Sequence, residues 1–419
     1  MTVLWRILLL AVAALLIWRI ASSGMSSYYI ERLSEGDASA APKALAWNSR
    51  EPHATFHEAL ASLPENPETA TAFLQRAYAE NPAETKPLLV TAGIVRSQGD
   101  QARADALVTQ AADLLPANPG IQQEAAAYWV SRGHLEQAMQ HWSRALEADP
   151  AVGEQLFPLL LKIAEDTRTR GVFKALAYSP PPWWDRFFAE VARRALNVET
   201  VRLLYALRRD ATDAPFTEKE RQAYVKRLQK DGVTTEAYLV WVNGLSETER
   251  AHLGLLYNGG FELGPSNRGF DWHLGNTEHV AANTATTYGI DGNKALHLTF
   301  KRREKRYHHL FQPLFLDPGT YRVTGKVRTE SLETKGGLKW QAQCRLPTSQ
   351  TLGESERFLG SGEWREFSFE FQVPESCTAQ EIRLHSTGKR AFEHKITGAV
   401  WFDGMSIRKI LGAIADSDA

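Results

Sequence analysis

The sequence is poor in cysteine and methionine, two and four among 419 residues, and it has no excess of charge of either sign. Two cysteines, Cys344 and Cys377, exclude a cysteine-rich zinc domain and leave room for one disulfide. Forty-eight Lys plus Arg against forty-nine Asp plus Glu give a net charge of -1. Such a balance provides no global field to attract nucleic acid, and any polyanion would need a local patch. With 43% hydrophobic and 23% charged residues the composition is that of a globular protein. The chain is too long for a single core, so several domains are expected.

One long hydrophobic run is present. Ile7 to Trp18 is apolar throughout, and with Val3 to Trp5 and Ile20 to Ala21 it becomes long enough to cross a bilayer, provided Arg6 and Arg19 snorkel. Residues 1–24 therefore read as a signal anchor or transmembrane helix, with Trp5, Trp18 and Arg19 as interfacial residues. The same run fits the core of a secretory signal cleaved at Ala21-Ser22-Ser23, which would release the chain into the periplasm. Either reading makes it an export signal. Arg6 against Arg19 and Arg32 does not decide orientation, which rests on the domains that follow. The expectation is a single-pass inner-membrane protein with its soluble part in the periplasm, and residues 25–54 as a linker.

Residues 55–151 are rich in alanine and leucine, and Pro82, Pro116 and Pro150 recur every 34 residues. Ala70, Ala104 and Ala138 fall in phase, followed by Leu74, Val108 and Trp142, and then by Ala77, Ala111 and Ala145. Ala92 and Ala126 align with Val95 and Trp129 behind them, and Gly99 and Gly133 share the phase of a tight turn. This stretch resembles three tetratricopeptide (TPR) repeats, the first degenerate because Glu58 stands in its small-residue slot. The resemblance implies an α-solenoid whose concave surface takes an envelope protein or peptide as partner. His53 and His57, one helical turn apart, have no third ligand near them and do not make a metal site.

Residues 152–256 keep a helical pattern without the period, and read as divergent helical repeats or a cap. Pro180-Pro181-Pro182 interrupts them before Trp183-Trp184, a pair better suited to plugging an inter-helix gap than to serving as a ligand platform. Phe216 to Leu245 reads as a worn helix pair turning at Gly232, with Ala237, Tyr238 and Trp241 on its packing face.

At residues 257–410 glycines cluster and short alternations take over, among them Ala295–Phe300, Tyr321–Val327, Leu338–Cys344, Arg365–Phe371 and Glu381–His385. Strands this short and this numerous argue for an antiparallel sandwich, with Asp317-Pro318-Gly319 as a turn and 411–419 as a tail. The fold class is thus a multidomain α + β protein: a membrane helix, a TPR-like α-solenoid and a C-terminal β-sandwich of jelly-roll type. Asn258-Gly-Gly-Phe261-Glu262, Phe270-Asp-Trp272, Leu316 to Tyr321, Trp364-Arg-Glu-Phe367 and Trp401-Phe-Asp403-Gly-Met-Ser-Ile407 occur in order. Together they resemble the landmarks of carbohydrate-binding modules of families 4 and 9. The whole arrangement is similar to bacterial tetratricopeptide proteins associated with the cell envelope or exopolysaccharide production. The likeness to carbohydrate-binding modules implies a glycan ligand, and a structural calcium ion held by Glu262 and Asp403. Gly404 follows where a second acidic residue is frequent, which removes one ligand.

Alternation places Lys339, Gln341, Gln343 and Arg345 on one face of their strand. These polar groups suit sugar hydroxyls, with Tyr307, His309, Arg383 and His385 as further candidates. A solvated outer face explains the same alternation. Lys301, Arg302, Arg303, Lys305 and Arg306 form a basic cluster, either a solvated hairpin tip or a patch for an anionic glycan.

The expected function is that of an anchored scaffold binding a partner protein and a polysaccharide in envelope or exopolysaccharide assembly, without enzymatic activity or nucleic acid. The alternatives are a protein-only assembly factor and a polysaccharide lyase using Arg383, Gln343, His309 and Tyr307, which no catalytic motif brackets. Apart from the possible calcium no cofactor is expected. In an oxidising compartment Cys344 and Cys377, both in the sandwich, are expected to pair, the alternative being two buried thiols.

Overall fold

The computed structural model describes residues 2–211, 214–275, 277–286, 292, 294–303, 306–388 and 390–410. Among them fifteen α-helices precede ten strands, which gives the α + β fold class expected from the sequence. The helices are α1 (Thr2–Ser34), α2 (Ala40–Trp47), α3 (Pro52–Ser62), α4 (Pro67–Glu80), α5 (Lys86–Ser97), α6 (Gln101–Leu114), α7 (Pro119–Ser131), α8 (Leu135–Ala148), α9 (Gly153–Glu165), α10 (Phe173–Tyr178), α11 (Trp184–Arg194), α12 (Val198–Arg209), α13 (Glu218–Lys230), α14 (Thr234–Asn243) and α15 (Glu247–Arg250). The strands are β1 (His273–Leu274), β2 (Val280–Ala285), β3 (Ala295–Arg303), β4 (Leu310–Leu314), β5 (Gly319–Thr334), β6 (Leu338–Leu346), β7 (Gln350–Glu354), β8 (Gly360–Val373), β9 (Ala379–Ser386) and β10 (Ile396–Ile410).

The chain divides into two compact units, residues 1–187 and 188–419. In the first, α3 with α4, α5 with α6, and α7 with α8 form helical hairpins. Local chemistry sets their starts. Asn66, Asp100 and Asn118 accept hydrogen bonds from the amides of Thr69, Arg103 and Ile121, satisfying N-terminal donors that the helix cannot. Gly99 and Gly133 turn the hairpins at φ +92° and +77°, where a side chain would be strained. Ala70, Ala104 and Ala138 are fully buried, and Leu74, Val108 and Trp142 close over them. Trp183 and Trp184 are buried as well, the former donating its indole N–H to Ser143 Oγ at 3.0 Å.

Residues 25–54 differ from the expected linker. They are helical over most of their length, because Leu33, Ala40, Ala41, Ala44 and Ala54 provide enough small apolar surface to close a hairpin between α1 and α2. The whole apolar run of α1 is exposed, and the helix is long and apolar enough to be a membrane span or a signal sequence.

In the second unit the helices from 198 onward group with the sandwich. The reason is aromatic: Tyr238 of α14 stacks on Phe315 at 4.7 Å, and Trp241 meets Tyr257 at 5.1 Å and Phe270 at 5.6 Å. Two five-stranded antiparallel sheets, β1-β4-β9-β6-β7 and β2-β3-β10-β5-β8, enclose one core. Trp340 lies at its centre, 5.6 Å from Trp272 and 5.1 Å from Phe402. Residues 411–419, read as a tail, lie outside the described residues.

Candidate glycan-binding face

Strand register builds the site. On the outer face of the first sheet, His273 of β1 pairs with Phe311 of β4, Phe311 with Arg383 of β9, Arg383 with Gln341 of β6, and Gln341 with Glu354 of β7. One row of side chains thus crosses all five strands. The His273 imidazole stacks on Phe311 at 4.8 Å with 8° between planes, and the Arg383 guanidinium lies 4.7 Å from the other side of that ring. Beside this row His385 pairs with Lys339, and Glu381 with Gln343.

Hydrogen bonds fix these groups to one another. Gln341 Nε2 donates to Thr351 Oγ1 at 2.8 Å and to Glu354 Oε1 at 2.9 Å, while Lys339 Nζ reaches Glu354 Oε2 at 2.8 Å. Glu381 accepts from Gln343, from Arg383 Nε at 2.6 Å, and pairs with Arg345 at 3.4 Å. Arg383 also donates to the His308 carbonyl at 2.9 Å. Gln341, Gln343, Glu381 and His385 are all less than 10% exposed, so this is not a freely solvated face. Lys339, Glu354 and Arg345 keep more accessible side chains at its border.

Electrostatics follow burial. Desolvation pushes the His385 imidazole below its ordinary value, against the pull of Glu354 Oε1 at 3.5 Å. His273 is lowered by burial too. Burial alone would raise Glu354, but the Lys339 hydrogen bond and charge, with His385 and Gln341, hold it below the usual carboxylate range.

Of the expected residues, Lys339, Gln341, Gln343, Arg345, Arg383 and His385 share this face. Tyr307 does not: ahead of β4, its backbone bonds to Ser386 and its ring is fully buried in the core, edge-on to Phe300 at 5.2 Å. His309 lies at the sheet margin, stacked on His308 at 4.4 Å and packed by Gly275. In the basic cluster Lys301 and Arg306 are exposed, Arg302 and Arg303 contribute backbone to β3, and Lys305 lies outside the described residues. Sequence reading missed His273, Phe311, Glu354 and Glu381. Glu381 carried a usable signal, since it alternates in phase with Arg383 and His385.

Glu262 and Asp403 approach Gly260 together: a Cβ there would sit 3.9 Å from Asp403 Oδ1 and 4.0 Å from Glu262 Cγ. Glu262 Oε1 accepts from the Lys294 amide at 3.1 Å, and Asp403 Oδ1 from the Gly404 amide at 2.7 Å. Acidic side chains of this kind are the ligands a hard cation takes, although no group of three acidic, His or Cys side chains forms among the described residues. Cys344 and Cys377 are joined in a disulfide, with Cα atoms 5.8 Å apart. Trp401, on the outer face of the second sheet, is packed between His297 at 4.3 Å and Arg328 at 5.0 Å, which occupies the indole faces a sugar would use.

No protein-family model and no curated protein matches the chain. Among solved structures it is similar to a CBM4 carbohydrate-binding module, at 13% identity and a TM-score of 0.28 over 37% of this chain and 99% of that one. It is similar to the xylan-binding CBM22-1 domain of Xyn10C from Paenibacillus barcinonensis, at 14% identity and 0.27 over 37% and 94%. A third, TmCBM61 in complex with β-1,4-galactotriose, gives 17% identity and 0.26 over 38% and 99%.

Proposed function

We propose that this chain is a membrane-anchored periplasmic scaffold that holds a partner protein on its TPR-like hairpins and a polysaccharide on the outer face of the first sheet, in envelope or exopolysaccharide assembly. The observation that carries the glycan reading is the row from His273 through Phe311, Arg383 and Gln341 to Glu354. It sets planar and hydrogen-bonding groups in fixed positions, so little side-chain entropy is lost when hydroxyls bind. Lys339, Glu354 and Arg345 supply the accessible donors and acceptors. Glu262 and Asp403 would hold a structural calcium, stabilising the loop at Gly260 without taking part in binding.

Binding rather than catalysis is supported by the burial of the Tyr307 ring in the core, on the other side of the sheet from the face that Arg383 and Gln343 share. A protein-only assembly role is the second reading, favoured by the hydrogen bonds that tie Gln341 to Glu354 and Arg383 to Glu381. Detergent-solubilised full-length protein is to be tested by sedimentation with neutral and uronate-rich surface polysaccharides. Retention on a glycan, reduced about tenfold or more by Arg383→Ala, supports the reading on the scale of a lost charge-assisted contact. Failure on every polymer with an envelope protein still captured favours the second.

A further inference from the structure

Helix α1 does not end where its apolar run ends. It is continuous from Thr2 to Ser34, and its last turns form one side of a hairpin with α2. Leu33 is buried with Ala40, Ala41 and Ala44, Tyr29 and Ile30 cover them, and Ser26 Oγ donates to the Ala44 carbonyl at 3.3 Å. Helix α2 therefore returns along α1 towards the apolar run. At the end of that return the Trp47 indole lies 6.1 Å from Trp18. Trp18 remains 64% exposed and Trp47 38% exposed, so neither ring is buried by protein.

The span fixes where this pair sits. From Val3 to Ile20 the helix rises about 26 Å, close to the thickness of a bilayer's hydrocarbon core. Trp18 then falls at the outer boundary of that core, where tryptophan partitions. Arg19 adjoins it, and Arg50, its side chain 79% exposed and 3.7 Å from Glu80, follows Trp47. Both are cations suited to headgroup phosphates.

We propose that Trp47, although part of the soluble unit, is seated with Trp18 in the headgroup–acyl boundary of the bilayer that α1 spans. The α1–α2 hairpin then stands on the membrane surface. The proposal rests on the anchor reading of α1. It gives the first repeat-like hairpin a fixed depth and tilt, because a continuous helix transmits orientation where a flexible linker would not.

The test uses the full chain in vesicles of phosphatidylethanolamine and phosphatidylglycerol. Nitroxide labels are placed at Trp47→Cys, Trp18→Cys and, as an aqueous reference, Leu114→Cys, which is 49% exposed. The native cysteines are held in their disulfide. Positions 18 and 47 are expected to be relaxed more by oxygen than by a water-soluble nickel chelate, and position 114 the reverse. Position 47 matching 114 while 18 reads lipid would overturn the proposal and leave the anchor standing. Positions 18 and 47 both reading aqueous would remove the anchor as well. Trp47→Phe gives a second measurement that does not depend on labelling. Trp5, Trp18 and Trp47 are the tryptophans of residues 1–50, and the emission that brominated acyl chains quench in this segment is expected to fall by about a third on that replacement. No change would overturn the proposal.

Discussion

Arg208 and Glu220 form an ion pair that no solvent reaches, with Nε 2.7 Å from Oε1, a second bond of 3.1 Å from Nη2 to Oε2, and both side chains fully buried. Two further guanidinium donors go to the carbonyls of Ala214 and Pro215 at 2.8 and 3.1 Å. Glu220 also completes a capping box, accepting from the Thr217 amide at 2.8 Å. Removing one partner strands a buried charge. Glu220→Ala or Arg208→Ala should therefore cost about 3–5 kcal/mol, read as a lower denaturant midpoint. The double replacement Arg208→Met with Glu220→Leu should recover most of that loss, because no buried charge remains. A single-variant loss below about 1 kcal/mol would mean the site admits water.

The helical hairpins were legible because alanine and glycine occupy positions that geometry restricts. Ala70, Ala104 and Ala138 are fully buried, and Gly99 and Gly133 take positive φ. The sandwich was legible from alternation, down to the shared face of Lys339, Gln341 and Gln343. Its partners across the sheet were not, because register is set by turns and bulges that one strand does not encode. Thus Glu354 and Phe311 reach the site from β7 and β4, and Tyr307 leaves it. The Arg208–Glu220 pair was also hidden, because two charged residues twelve apart look like solvated surface until the fold closes over them.

Within the proposed glycan face, residues divide by accessibility. Gln341→Ala removes donors to both Thr351 and Glu354 and should weaken polysaccharide retention together with the order of β7. Arg345→Ala, at the border, should weaken retention with little change in the unfolding midpoint, because its guanidinium is half exposed and the buried Glu381 keeps Gln343 and Arg383 as partners. Trp401→Phe, on the other sheet, should leave retention unchanged. Affinity electrophoresis of the three variants, with thermal melts alongside, separates these outcomes, and a loss confined to Trp401→Phe would move the site to the second sheet.

His385 makes stability depend on pH. Its ordinary value of 6.5 is lowered in the fold by burial, while Glu354 pulls upward and Arg306 and Lys339 push down. The unfolded chain therefore binds the proton more readily than the folded one. Stability from the neutral imidazole is present above pH 6.5 and is lost as pH falls through that value towards the lower folded one. The limiting slope for one proton is about 1.4 kcal/mol per pH unit. Urea midpoints measured between pH 7.5 and 5.5 should fall on acidification, and less steeply in His385→Gln. The residual slope belongs partly to His273, lowered by the same cause. Identical slopes in both proteins would show that His385 takes its proton without disturbing the fold.

The disulfide connects localisation to stability. Cys344 lies on β6 opposite Gln380 of β9, and Cys377 just precedes β9, so the bond joins two strands that already pair and closes a loop with a sequence separation of 33. Both cysteines are buried, at 3% and 5% exposure, which shields the bond from reductants until the sandwich opens. By chain entropy a loop of this length contributes about 3–4 kcal/mol, chiefly by restricting the unfolded chain. Reduction should therefore be slow under native conditions, fast in denaturant, and followed by a lower melting transition of the sandwich. Protein taken from its native envelope, unfolded without reductant, should show no titratable thiol. Two free thiols would remove the bond and with it the argument for an oxidising compartment, because two cysteines held this close in the periplasm would close.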